Sequence, residues 1–156
     1  DVLFHFDQLL MSKTTDTVFQ LLAYTGIGIA YAREAELEKA EVYFDKVFSE
    51  IYTYPIQTTE DIWRVLNIVF HCGVFYAQTN DLETSNALLN YAIAICSENH
   101  LTYYLARAAA QLAKNAQAAG EPASVILELI QDALAFAKIN KNRLLINELN
   151  QMKKQL

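Results

Sequence analysis

Few of the residue types that carry enzyme chemistry lie close together in this chain of 156 residues. The three histidines, His5, His71 and His100, are far apart in the sequence. Cys96, Glu98 and His100 alternate at a spacing that does not share one face of a helix. Metal ligands and catalytic groups must converge on one point. The sequence therefore predicts no metal site and no catalytic site, and we expect neither a cofactor nor an enzymatic activity.

Two glycines close together, Gly26 and Gly28, have the spacing with which a nucleotide-binding glycine motif begins. The third glycine of that motif is missing, and the pattern of apolar residues places both glycines in the middle of a helix rather than after a strand. We therefore do not expect a phosphate-binding loop.

Two stretches of the chain repeat one pattern of small, apolar and aromatic residues. In the first, the pattern consists of Tyr24, Ile27, Gly28, Tyr31, Ala40 and Phe44. In the second, it consists of Val69, Cys72, Gly73, Tyr76, Ser85 and Leu89. This is the spacing of the tetratricopeptide repeat, a pair of helices that stacks on its neighbours. The glycines would lie where the paired helices cross closely, with Ala40 and Ser85 meeting them from the second helix.

The sequence predicts three helix pairs, at about 17–52, 60–98 and 101–138, and a capping helix at about 142–156. Their helices are expected at about 17–35, 37–52, 59–78, 82–97, 101–119 and 122–138. Thr58 and Asp61 form a capping-box pattern before the third helix. The third pair matches the repeat poorly, because Ala116 stands where tyrosine is expected. The apolar residues of 2–10 have helical spacing, and we expect them to form the tail of a further repeat.

The predicted fold is a single all-α domain, a right-handed solenoid of tetratricopeptide-like hairpins closed by the C-terminal helix. The second helix is expected to bury a face made of Val42, Phe44, Val47, Phe48 and Ile51. No apolar run approaches the roughly 18 residues of a membrane span. The chain begins at Asp1 without a visible secretory signal, which suggests a fragment of a longer protein.

The net charge and the cysteine content limit which binding partners and which cellular compartment are expected. The formal net charge is −6 and the pI is about 5.0, which disfavours direct binding to nucleic acid. Lys153 and Lys154 near the end are better explained by a solvated final helix than by a docking patch. Cys72 and Cys96 lie in apolar helical patterns, and we expect two buried free thiols in a reducing cytosol.

In a solenoid of this kind, the first helix of each pair lines the concave face. Counting from each glycine position, the inward set mixes apolar side chains with amides and cations. An extended peptide needs both, because its main-chain groups lose water on binding while its side chains need apolar pockets. The first pair contributes Leu22, Thr25, Gly26, Ile29, Ala32 and Arg33; the second contributes Asn67, Phe70, His71, Val74, Ala77 and Gln78; the third contributes Arg107, Ala110, Gln111, Lys114, Gln117 and Ala118. From this set we predict a peptide-binding site formed by Arg33, Asn67, Phe70, His71, Gln78, Arg107, Gln111 and Lys114.

Residues 62–146 resemble the C-terminal domain of Gram-positive quorum-sensing regulators of the PlcR-like and Rgg-like kind (the RNPP family). The resemblance rests on Asn67-Ile-Val-Phe-His-Cys-Gly-Val-Phe-Tyr, on Asn90-Tyr-Ala-Ile-Ala-Ile-Cys, and on the alanine-rich helix that follows Leu101. It implies a cytoplasmic, homodimeric protein whose helical-repeat domain binds a short signalling peptide. DNA would be bound only by an N-terminal helix-turn-helix domain that this chain does not contain.

Family members hold the peptide backbone with an asparagine or another polar residue of the inner face. The nearest matches by position are Asn67, His71, Arg107 and Gln111, and His71 stands where an amide is expected. The alternative is a tetratricopeptide-repeat scaffold that binds a protein partner and no signalling peptide. A chaperone-type clamp for a C-terminal carboxylate is not expected, because the first repeat lacks the lysine and asparagine that such a clamp uses.

Overall fold

The computed structural model describes residues 17–156, and every regular element in that part of the chain is an α-helix. The helices are α1 (Thr17–Arg33), α2 (Leu37–Ile51), α3 (Thr59–Gln78), α4 (Leu82–Glu98), α5 (Tyr103–Ala118), α6 (Ala123–Ile139) and α7 (Arg143–Lys154). The predicted all-α class is confirmed for this part, and each helix end lies within two residues of its predicted position. The helix predicted at 2–10 lies outside the described residues. Within 17–156, no helix combines the length and the apolar character that crossing a membrane requires.

The chain divides into two compact units, with the boundary between residues 79 and 80. In the first unit α1 packs against α2 and α3, and α2 also contacts α3. In the second unit α4 packs against α5, α5 against α6, and α6 against α7, which also touches α5. The boundary separates the two helices of the second predicted repeat. The single domain and the pairing of α3 with α4 therefore stay predictions.

Side-chain caps begin several of the helices. The Thr58 hydroxyl accepts a hydrogen bond from the Asp61 amide at 3.1 Å, and the Asp61 carboxylate accepts one from the Thr58 amide at 2.9 Å. This reciprocal pair confirms the predicted capping box, which satisfies two donors that the first turn leaves without a partner. Asp81 and Asn142 cap α4 and α7 in the simpler way, by accepting from the amides three residues later.

A residue with left-handed backbone conformation follows five of the helices. Positive φ values between 53° and 73° follow α1, α3, α4, α5 and α6, at Ala35, Asn80, His100, Gly120 and Lys141. After each of four of these helices the next amide bonds back to the helix, for instance Glu36 N to Tyr31 O at 3.0 Å and Leu101 N to Cys96 O at 2.8 Å. These bonds are typical of a Schellman end, which satisfies the last carbonyls and turns the chain sharply.

The core of the first unit contains a close contact between a glycine and an aromatic ring. A Cβ atom added to Gly28 would lie 2.7 Å from Cε2 of Phe44, and the three atoms nearest to it all belong to that ring. The Phe44 ring stacks in turn on Phe75, with 4.3 Å between centroids. The glycine lies at a close approach, as predicted, and the nearest atoms there belong to Phe44.

The buried face of α2 is narrower than the sequence predicted. Val42 is 55% exposed and Phe48 is 36% exposed, whereas Phe44, Val47 and Ile51 are buried. Val42 lies about 200° around the helix from Phe44, outside the stripe that faces α1 and α3. Phe48 lies at the edge of that stripe, where its ring packs edge-on against Tyr76 at 5.9 Å. Counting Val42 and Phe48 as buried was therefore wrong.

Alanine forms most of the core surface of α5 in the second unit. Small side chains let α5 and α6 approach closely, and larger residues of α6 and α7 fill the remaining space. The cluster contains Ala106, Ala109, Ala110, Ala113 and Ala116 of α5; Ile126, Ile130, Ala133, Leu134 and Ala137 of α6; and Leu145, Leu149 and Met152 of α7. The Lys153 and Lys154 side chains are exposed at the end of α7.

Candidate functional site

A cavity of about 230 Å³ lies in the first unit, among the C-terminal halves of α1 and α3 and one residue of α2. Its lining consists of Ile29, Ala32, Arg33, Phe44, His71, Val74, Phe75 and Gln78. Six of these eight residues belong to the predicted inward set of α1 and α3. Among the residues predicted to bind a peptide, the structure thus brings Arg33, His71 and Gln78 together.

Two aromatic residues give the cavity an apolar wall that the sequence analysis did not assign to the site. Phe44 and Phe75 are buried and stack on each other with an interplanar angle of 18°. The absence of a side chain at Gly28 allows the Phe44 ring to take this position. In the sequence, Phe44 was assigned to the core pattern alone, because a repeat pattern does not distinguish a core ring from one that also borders a cavity.

The polar side chains of the cavity differ in how they are engaged. Arg33 and Gln78 are the last residues of α1 and α3, and both are exposed. Neither side chain has a hydrogen-bond or ion-pair partner among residues 17–156. His71 is half-buried, and its ring lies edge-on to Phe70 with 5.4 Å between centroids. The cavity therefore offers one free guanidinium and one free amide beside an apolar surface.

Asn67 and Phe70, the other predicted site residues of α3, do not line this cavity. Asn67 is half-buried and lies one turn before His71, on the same side of the helix. Phe70 is only 6% exposed, so its ring packs with the core beside His71. Asn67 is the better placed of the two to extend a binding surface beyond the cavity.

The three predicted site residues of α5 belong to the second unit, and each has a partner there. The Arg107 guanidinium donates to the Tyr103 hydroxyl at 2.9 Å. The Gln111 amide donates to the Asn115 side chain at 3.0 Å, and the Lys114 ammonium pairs with Glu148 at 2.5 Å. These side chains would have to exchange existing partners in order to contact a ligand.

A buried polar network in the second unit was missed by the sequence analysis. Asn115 is 2% exposed, and its amide nitrogen donates to the Ser85 hydroxyl and to the Asn86 side chain, both at 2.8 Å. Its oxygen accepts from Gln111. Ser85 was predicted only as a small residue opposite Gly73. An asparagine inside a run of alanines was the available signal, because a buried amide needs partners.

No activated nucleophile accompanies the cavity. Burial raises the pKa of the Cys72 thiol, and burial raises the pKa of Cys96 to about 11. Burial, reinforced by the 2.7 Å hydrogen bond to Asp45, raises the pKa of the Tyr76 hydroxyl. All three groups are thereby held in their protonated, weakly nucleophilic forms. Both cysteines are free and buried, as predicted. Among residues 17–156, no group of three His, Cys, Asp or Glu side chains could hold a metal ion.

The described residues define an all-helical protein whose first unit holds a small cavity of mixed character. No protein-family model, no curated protein and no solved structure matches the chain. The tetratricopeptide interpretation and the resemblance to PlcR-like and Rgg-like regulators therefore depend on the residue pattern.

Proposed function

We propose that this chain is a peptide-binding effector domain of a transcriptional regulator of the PlcR-like and Rgg-like kind, built as a right-handed solenoid of tetratricopeptide-like hairpins. The observation that carries the proposal is the cavity beside α1 and α3. Its lining includes six positions that the repeat pattern assigns to the concave face, and three of them are predicted binding residues.

The chemistry of the cavity suits a peptide better than a reaction. Ile29 and Val74 are partly exposed and offer apolar surface to a ligand side chain, and the buried rings of Phe44 and Phe75 also line the cavity. Gln78 can donate to and accept from a main-chain amide, which needs such partners once it has lost water. Arg33 adds a charged donor. A volume of about 230 Å³ is below the roughly 300–1,000 Å³ of typical small-molecule pockets, and it suits one peptide side chain.

We expect this domain to act in the cytoplasm as a homodimer, with DNA contacted through a separate helix-turn-helix domain. The net charge of −6 supports a separate DNA-binding domain, because an acidic domain is repelled by the phosphate backbone of DNA. The signalling peptide would shift the population of states in the regulator by binding one of them more tightly.

A scaffold for a protein partner is the alternative, and the apolar surface of the second unit favours it. Leu144 is 84% exposed and Ile139 is 63% exposed. Side chains of this size are commonly covered when they belong to an interface. A scaffold of this kind would use its outer surfaces and would need no free peptide.

The test is selection of heptapeptides from a phage-displayed library on the 156-residue chain, followed by calorimetric titration of the best synthetic peptide. We expect Gln78→Ala and His71→Ala to weaken binding by roughly tenfold, because a desolvated peptide group loses its partner. Gln131→Ala, an exposed glutamine of α6, is the matched control and should leave the affinity unchanged. Equal affinities for all variants would place the binding surface elsewhere and favour the scaffold.

A further inference from the structure

Among the cations of residues 17–79, Arg33 is unusual because it has no partner in the described part of the chain. Within residues 17–79, Lys39 pairs with Glu36, and Arg64 pairs with Glu60 at 2.9 Å. The Lys46 ammonium lies over the rings of Tyr24 and Tyr43, at 5.1 and 5.3 Å from their centroids. Arg33 is thus the free cation of the described part of this unit, although the unit carries more acidic than basic residues.

Helix capping does not account for Arg33. A cation at the end of a helix often binds the last carbonyl groups. In α1 those carbonyls are already occupied by backbone amides: Glu34 N donates to Ala30 O at 3.3 Å, Ala35 N to Ala32 O at 3.2 Å, and Glu36 N to Tyr31 O at 3.0 Å. The guanidinium therefore remains available at the edge of the cavity.

The cavity is polar at one end and apolar along its length. Ile29 and Arg33 lie one turn apart on α1, and Val74 and Gln78 lie one turn apart on α3. Four residues of α-helix rise by about 6 Å. In an extended peptide, side chains two positions apart point the same way and lie about 6.7 Å from each other, whereas neighbouring side chains point to opposite faces. The two spacings match closely enough for one peptide to use both ends of the cavity.

We infer that the cavity recognises an extended peptide in which an acidic side chain lies two positions from an apolar one. The apolar side chain packs against Ile29 and Val74, and the carboxylate binds Arg33. This inference rests on the proposed function and specifies the ligand of the same site. Arginine suits the role because its planar guanidinium donates two parallel hydrogen bonds to a carboxylate. Gln78, at the same end of the cavity, provides a further donor.

The experiment uses defined pools of heptapeptides with the full 156-residue chain. Each peptide is N-acetylated and C-amidated, so that a side chain is the source of any carboxylate. Position 3 is Leu; position 5 is Asp, Asn or Lys; and the other positions are mixtures of Ala, Ser, Thr and Gln. A fourth pool carries Asp at position 4, and a fifth ends in Leu with a free carboxylate. Competition against the fluorescently labelled Asp pool gives the relative affinities.

Three variants make the test specific for the guanidinium. Arg33→Gln removes the charge, Arg33→Glu reverses it, and Lys39→Gln removes an exposed cation of the same unit that does not line the cavity. Circular dichroism verifies that each variant keeps the helicity of the natural chain. Arg33 is exposed and has no partner in the described chain, and the Lys39–Glu36 ion pair is solvent-exposed, so each variant should remain folded.

We expect the natural chain and Lys39→Gln to prefer the Asp pool over the Asn pool by roughly tenfold at low salt, with a smaller preference at high salt. Arg33→Gln should abolish this preference, and Arg33→Glu should prefer the Lys pool. If the peptides bind without a preference for Asp, or if Arg33→Gln retains that preference, the inference is overturned while the proposed function is kept. Tighter binding of the position-4 pool or of the free-carboxylate pool would overturn it as well. If no pool binds, the proposed function itself fails.

Discussion

Replacement of Gly28 by alanine is the most direct test of the packing that forms the cavity. Inside an ordinary helix this change stabilises a protein by about 1 kcal/mol, because alanine is the better helix former. Here the new Cβ would lie 2.7 Å from one atom of the Phe44 ring and 3.0 Å from two others. Ordinary carbon contacts need about 3.5–4.0 Å. The ring would have to move by about 1 Å.

The Phe44 ring has little freedom to make that movement. It is 1% exposed and is stacked at 4.3 Å on Phe75, which is also buried. Overpacking of a core typically costs about 1–3 kcal/mol. After the gain in helix propensity of about 1 kcal/mol is subtracted, Gly28→Ala should destabilise the protein by about 1 kcal/mol. A ring displaced toward the cavity should also reduce its volume and weaken the peptide affinity.

The assay is urea unfolding followed by circular dichroism, in a cycle of four proteins: the natural chain, Gly28→Ala, Phe44→Leu and the double variant. Leucine at position 44 lacks Cε2 and Cζ, including the atom at 2.7 Å, so Gly28→Ala should stabilise the Phe44→Leu background by up to about 1 kcal/mol. The sign of its effect therefore reverses between the two backgrounds. Stabilisation by Gly28→Ala in both would show that the ring yields at no cost and would refute the packing described here.

Three further predictions test other parts of the structure. Hydrogen bonds from the Thr58 hydroxyl and amide hold the pKa of Asp61 below its usual range, so Asp61→Asn should lower stability at neutral pH. The difference in stability should begin to shrink as the pH falls below about 4 and should vanish below the lowered pKa; a pH-independent difference in urea unfolding would contradict this. Cys72 and Cys96 should not react with Ellman's reagent at pH 8 in the native state, and both should react in denaturant, because burial protonates and covers them; reaction of either native thiol would be the contrary result. Ala35→Gly should raise the urea midpoint by the equivalent of about 1 kcal/mol, since alanine is strained at φ 60°, and an unchanged midpoint would show that the strain is negligible.

The helices could be located from the sequence because their ends depend on local chemistry. The predicted capping box of Thr58 and Asp61 is formed in the structure, and Asp81 and Asn142 cap two further helix starts that were located without them. Such signals involve residues three apart and need no knowledge of the tertiary structure. Six of the eight cavity-lining residues stand at positions that the repeat pattern assigns to the inward face of α1 and α3, because that pattern specifies the face of the helix on which each residue lies.

The structural features that could not be predicted from the sequence depend mainly on contacts between residues distant in the chain. Whether Val42 is buried depends on the width of the surface that covers α2, and hydrophobicity alone does not measure it. The partners of Asn115 lie about 30 residues away on α4. The hydrogen bond from Gln111 to Asn115 is different, because it joins residues four apart on one helix, and the sequence analysis missed it although that spacing is visible in the sequence.

The alanine-rich surface of α5 has a consequence for how uniquely the second unit folds. Short methyl side chains interdigitate weakly, so they provide few steric features that fix how far one helix slides along another. Asn115 supplies a fixed point, because its amide reaches Ser85 and Asn86 of α4 in only one axial register. A slip by one turn, about 5.4 Å, would leave these buried groups without partners. The Asn115 amide therefore selects the register of α5 against α4, where alanine methyl groups alone would not.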